Sequence, residues 1–157
     1  MCEYCGCQAL AAVDELTREH DEVVALISLV RAAHAAGDVG ELAELARRIA
    51  TVLEPHTQVE EQGLFPPLAG EFPEHVAAFE AEHRQIAHVL DEAADGVPGD
   101  PTWPGRLLDT VNLLREHILA EQDGAFPAAL AQLDAADWEL IEQIRERVGI
   151  AVPDLAH

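Results

Sequence analysis

One eleven-residue pattern occurs twice in this chain. His56-Thr-Gln-Val-Glu60-Glu-Gln-Gly63-Leu-Phe65-Pro66 and His117-Ile-Leu-Ala-Glu121-Gln-Asp-Gly124-Ala-Phe126-Pro127 share H-x-x-x-E-x-x-G-x-F-P at an offset of 61 residues. A looser match precedes each copy: Glu19-His20-Asp-Glu-Val23 aligns with Glu82-His83-Arg-Gln-Ile86 at an offset of 63. The chain therefore reads as two similar halves, each with one His on a first segment and a His-x-x-x-Glu on a second. On a helix, residues i and i+4 lie on one face, one turn apart. Each half is expected to be a helical hairpin.

Periodicity of 3.6 residues extends this reading along the chain. A first helix is expected from Ala9 to Ala36, with Leu16, His20, Val23, Ile27 and Val30 on one stripe, stopping at Gly37-Asp38. A second starts near Gly40 and aligns Leu42, Leu45, Ile49, Val52, His56 and Glu60, with a local kink at Pro55 and closure at Gly63 and Pro66-Pro67. A third spans Pro73 to Ala94 with Val76, Phe79, His83, Ile86 and Leu90 aligned. A loop of turn formers, Gly96 to Pro101, leads to a fourth from Trp103 to Gln122 with Leu107, Leu114, His117 and Glu121. A shorter helix, Ala135 to Val148, carries Trp138, Ile141, Ile144 and Val148 behind a cap at or near Asp134. The expected fold is all-α: an up-down-up-down four-helix bundle over residues 9–133, a Cys-rich N-terminal extension over 1–8, and a short C-terminal fifth helix and tail over 134–157.

A composition that is 49% hydrophobic but 4% aromatic, over 157 residues, supports one helical domain with its own core. The formal charge of −21 makes nucleic acid and anionic membranes poor partners. No apolar run approaches the ~20 residues that span a bilayer, and no leader pattern is evident. A soluble, cytoplasmic protein, monomer or weak dimer, is expected.

His20, His56, Glu60, His83, His117 and Glu121 all fall on apolar stripes. Six buried polar groups are costly unless something satisfies them. Two cations sharing two bridging carboxylates would satisfy all six, with two His per ion. Imidazole suits Zn, Cu, Fe and Ni, while carboxylates shift the preference towards harder ions. A structural zinc site closes a tetrahedron from one cluster, which fits bridged pairs poorly. Two iron ions are expected, with Mn or Zn as substitutes.

The order His … His-x-x-x-Glu … His … His-x-x-x-Glu, with Phe-Pro after each Glu, resembles the hemerythrin-like family of HHE cation-binding domains over about residues 8–130. The resemblance implies a four-helix bundle with an oxo- or hydroxo-bridged di-iron centre. It also implies a small ligand, O2, NO or H2O2, bound, sensed or decomposed, in oxidative or nitrosative stress handling. Oxygen-carrying hemerythrins have a second His four residues after the third-helix ligand, and Asp rather than Glu on the fourth helix. Here Ala87 stands at that place, and His88 lies about 140° round the helix. One coordination position is thus expected to be open, which favours reactivity over reversible carriage.

Cys2, Cys5 and Cys7 form C-x-x-C-x-C at the start. They suit a thiol switch, an accessory metal site or a loose reduced terminus, and one Cys folding back could fill the position at Ala87. His88 and Glu61 are further metal or outer-partner candidates, and Glu22 and Glu61 are candidates for proton transfer. Three functions stay open: a di-iron enzyme decomposing peroxide or nitric oxide, an oxygen-, redox- or iron-sensing module with a partner protein, and iron storage or a purely structural metal site.

Overall fold

The computed structural model describes residues 5–150, with Cys5 described for its backbone only. Among these residues there is no strand. The helices are α1 (Cys5–Ala35), α2 (Val39–Val59), α3 (Phe65–Ala69), α4 (Pro73–Asp91), α5 (Trp103–Ala120), α6 (Phe126–Gln132) and α7 (Ala135–Val148). Two π-helical turns, Glu60–Leu64 and Glu121–Ala125, join α2 to α3 and α5 to α6. Contacts run α1 to α2, α2 to α4, α4 to α5 and α5 to α1, closing a ring of four long helices. α7 lies outside the ring against α1, α2 and the first π-turn.

Local chemistry sets the turns. After α1, Gly37 takes φ +68°, the left-handed conformation that costs glycine little. Its N–H donates to His34 O and the Asp38 N–H donates to Ala33 O, so two orphan carbonyls are satisfied. The Asp38 carboxylate then accepts from Glu41 N–H and starts α2. α7 begins with a reciprocal capping box: Asp134 accepts from Asp137 N–H and Asp137 accepts from Asp134 N–H. At the start of α5, the buried Trp103 indole donates to Val89 O of α4, and Arg106 reaches Glu92 and Asp100 in the loop between them.

Two differences from the sequence reading matter. α1 is already helical at Cys5, ahead of Ala9. The segment after Glu60 does not close at Gly63 and the prolines; it stays helical through a π-turn to Ala69. Pro66 and Pro127 have no N–H to donate and crowd the preceding turn. The wider turn relieves that crowding, with Phe65 N–H bonded to Glu60 O and Phe126 N–H to Glu121 O. Pro55 does not interrupt α2.

Two apolar clusters make the core. One gathers Val23 to Ala33 of α1 with Leu42 to Val52, Ile86 to Ala93 and Trp103 to Ile118. The other gathers Ala9, Ala12 and Leu16 with Phe65, Val76, Phe126 and the inner face of α7, Trp138, Ile141 and Ile144. Between them lies a polar layer, because His20 falls between Leu16 and Val23 and His56 between Val52 and Val59.

Candidate metal centre

Each helix of the ring contributes one histidine to that layer: His20 from α1, His56 from α2, His83 from α4 and His117 from α5. Glu60 and Glu121 are the first residues of the two π-turns. His20, His56, Glu60 and Glu121 form one group whose ligand atoms lie within 4.8 Å of one another; Glu60, His83, His117 and Glu121 form a second. The two glutamates are common to both. Glu60 sets Oε2 3.2 Å from His56 Nε2 and Oε1 3.2 Å from His83 Nε2. Glu121 sets Oε1 3.0 Å from His20 Nε2 and Oε2 3.1 Å from His117 Nε2. Each carboxylate therefore spans the two groups.

The imidazoles are held from behind. His20 Nδ1 lies 2.9 Å from Gln122 Oε1, His56 Nδ1 3.0 Å from Glu19, His83 Nδ1 2.7 Å from Glu61 and His117 Nδ1 2.7 Å from Glu82. With Nδ1–H donated outward, each Nε2 presents a lone pair to the centre, the tautomer a metal ligand requires. The repeat is visible here too: Glu19 and Glu82 precede the first-helix histidines, and Glu61 and Gln122 follow Glu60 and Glu121. Ring contacts add support, with Phe126 stacked on His20 at 5.3 Å and Phe65 on His83 at 5.8 Å.

Electrostatics test whether cations fit. Glu60 and Glu121 are fully buried, and none of their four carboxylate oxygens meets a hydrogen-bond donor in good geometry, although histidine nitrogens stand near. His83 Nε2 and His117 Nε2 sit 3.0 Å apart, a spacing at which they can share at most one proton. Unpartnered buried carboxylates are expensive. Without a metal, protons take part of the load. Burial alone lowers His56, but the charge of Glu60 close beside it and the bond to Glu19 outweigh it and push it up to about 10. His117 is pushed up to about 9 against the same burial by Glu121 and Glu60. Burial pushes the Glu60 carboxyl up, but His56 and His83 hold it well below its ordinary range. Convergent imidazole lone pairs around shared carboxylates form a donor set that fits two cations.

A cavity of about 400 Å³ reaches this layer, with all four histidines in its wall. Ala87 also lines it, together with Ile86 and Leu90 of α4, and its methyl leaves the space a longer side chain would fill. The neighbouring His88 is exposed and belongs to neither group. Glu61 is an outer hydrogen-bond partner and also stands outside both groups. Glu22 is half-buried and belongs to neither. Cys2 lies outside the described residues. Cys5 and Cys7 do not fold back: α1 is continuous from Cys5, so they start roughly 20 Å along its axis from His20. Cys7 is disulfide-bonded. Sequence reasoning missed the roles of Glu82, Gln122 and above all Glu19 with Arg145. The signal for Glu19 and Glu82 was the Glu-His pair in each half; that for Arg145 was a cation on the apolar stripe of α7.

Comparison with curated proteins and with solved structures gives no significant match. The family profile described as the hemerythrin HHE cation binding domain matches residues 11–129. That span takes in the ring of four helices, both π-turns and all six central residues, and the chain belongs to the hemerythrin HHE cation-binding family.

Proposed function

We propose that His20, His56, Glu60 and Glu121 hold one iron ion and His83, His117, Glu60 and Glu121 a second. On this reading the protein binds or reacts with a small ligand, O2, NO or H2O2, in the handling of oxidative or nitrosative stress. The observation that supports it is the set of four unpartnered carboxylate oxygens facing four inward Nε2 atoms beside a cavity. Bound iron would supply redox electrons and an open position for the ligand.

The chain's own part is orientation and access. Gln122, Glu19, Glu61 and Glu82 fix the imidazole planes, so the donor set is held in place before metal arrives. Leu90, Leu114 and Ile118 give the cavity part of its wall beside Thr51, Glu54 and Asp91, and Ala87 leaves room for a ligand of a few atoms. Metal analysis and an optical spectrum of protein from iron-supplemented cells test the metal. Stopped-flow mixing with peroxide and with nitric oxide tests the reaction. Two irons per chain and fast loss of either oxidant are expected, with Ala87→His slowing the reaction while keeping both irons. Reversible oxygen binding without turnover would reject the enzymatic reading.

One observation favours sensing without turnover as a second reading. Arg145 of α7 bonds Glu19, which bonds His56, so a helix outside the ring is tied directly to the centre.

A further inference from the structure

The repeat makes the two halves equal at the six central residues, yet their outer partners carry different charge. Glu61 accepts from His83, while its counterpart Gln122, a neutral amide, faces His20. Glu82 accepts from His117 with its side chain 34% exposed, and among the described residues it has no cationic partner besides that histidine. Its counterpart Glu19 is wholly buried and takes a two-pronged bond from Arg145, Nη1 to Oε2 at 2.9 Å and Nη2 to Oε1 at 2.9 Å. The main contacts of α7 are with α1, α2 and the first π-turn, and among the described residues no matching arginine reaches Glu82.

A carboxylate that accepts from Nδ1–H raises the basicity of the opposite ring nitrogen. A carboxylate already committed to a guanidinium does this less, and an amide less still. The His83–His117 position therefore has two uncompensated carboxylates behind its imidazoles. The His20–His56 position has a neutral amide and a carboxylate doubly bonded to Arg145, whose Nε also lies 3.7 Å from Glu15 Oε1. Glu60 and Glu121 serve both and cancel from the comparison.

We propose that the two metal positions are unequal: the His83–His117 position fills first and binds tighter, and Arg145 is the positioning residue that, through Glu19, keeps the His20–His56 position weaker. This rests on the di-metal reading above. The protein then has a defined half-filled state. A second ion, or a different metal, enters only at the position tied to α7.

Titration of metal-free protein with Co²⁺, followed by calorimetry and visible absorption, tests it. Two steps at least about tenfold apart are expected, because outer partners of metal-bound histidine change affinity 10–100-fold. His117→Ala removes the tighter step and His56→Ala the weaker. Glu61→Gln or Glu82→Gln, both at partly exposed positions, weakens the tighter step about tenfold and narrows the gap. Arg145→Gln, which takes the positive charge off Glu19, strengthens the weaker step, and Arg145→Lys, which keeps that charge, leaves it nearly unchanged. Two equal steps, or a gap untouched by Glu82→Gln, overturn the inequality while leaving the di-metal reading standing. No cobalt bound at all overturns both.

Discussion

Replacing Gly63 by alanine and Gly124 by alanine makes one chemical change at corresponding positions of the repeat, and the two outcomes are expected to differ in sign. A Cβ at Gly63 would lie 2.7 Å from Ile141 Cγ1 and 3.1 Å from Ile144 Cδ1, because α7 seats directly on the first π-turn. Ile141 Cγ1 is the near end of a branched side chain and cannot swing away without moving the helix. Overpacking of this kind costs about 1–3 kcal/mol. A Cβ at Gly124 meets nothing within 4 Å; that glycine borders an apolar cavity of about 230 Å³ with Phe65, Phe79 and Ala128. Both substitutions gain about 0.5–1 kcal/mol from lower backbone freedom in the unfolded chain. That gain cancels in the comparison. Gly124→Ala should stabilise slightly and Gly63→Ala should destabilise, with a gap of about 1–3 kcal/mol, or roughly 3–10 °C in Tm. Urea and thermal unfolding of metal-free protein read the gap directly. Removing the obstruction is a second check: Gly63→Ala should cost much less in an Ile141→Ala background than alone. Equal shifts for the two glycines would refute the seating of α7 on Gly63.

The metal-free protein should lose stability in alkali. His56 and His117 are pushed up to about 10 and about 9, against about 6.5 in an unfolded chain, so their contribution is full below about 6.5 and is lost as pH rises through 9 to 10. A urea midpoint that is flat from pH 7 to 10 contradicts this. For the same reason, metal uptake at pH 7 should release protons, measurable by calorimetry in buffers of different ionisation enthalpy. Glu60→Gln should reduce metal content more than His56→Ala, since Glu60 faces both positions; equal losses by elemental analysis would argue against bridging. Asp134→Ala removes the bond that the Asp134 carboxylate accepts from Asp137 N–H, leaves the reciprocal backbone bond to Asp137, and should cost about 1 kcal/mol in chemical unfolding.

The six central residues were legible because the sequence states them twice on helical stripes, and a repeated polar position on an apolar stripe has few physical explanations. The four long helices and α7 were legible from the same periodicity, and the Asp134 cap from local chemistry. The π-turns were not. Gly63 and Pro66-Pro67 look like a helix end, because hydrogen-bond rules for a straight α-helix give no sign that a wider turn will carry the chain past a proline. Arg145 was hidden for another reason. Its partner Glu19 lies 126 residues away, and its role depends on how α7 docks, which spacing along the chain does not encode. Cys5 and Cys7 were misread as able to reach the centre because the start of α1 was placed four residues late.

Each π-turn holds one residue more than an α-helical turn, so the helix passing the centre slips in rotational phase by about 100°. The histidine before the slip and the phenylalanine after it belong to different frames. Phe65 consequently comes round onto His83 of α4, and Phe126 onto His20 of α1, instead of continuing the stripe of its own helix. Loss of a single residue between Glu60 and Phe65 would give a more regular helix and a worse protein: everything downstream would turn away from its neighbour while every ligand stayed in the chain. The five residues after each histidine-glutamate pair behave like punctuation, in which the count of letters is inherited as strictly as the letters.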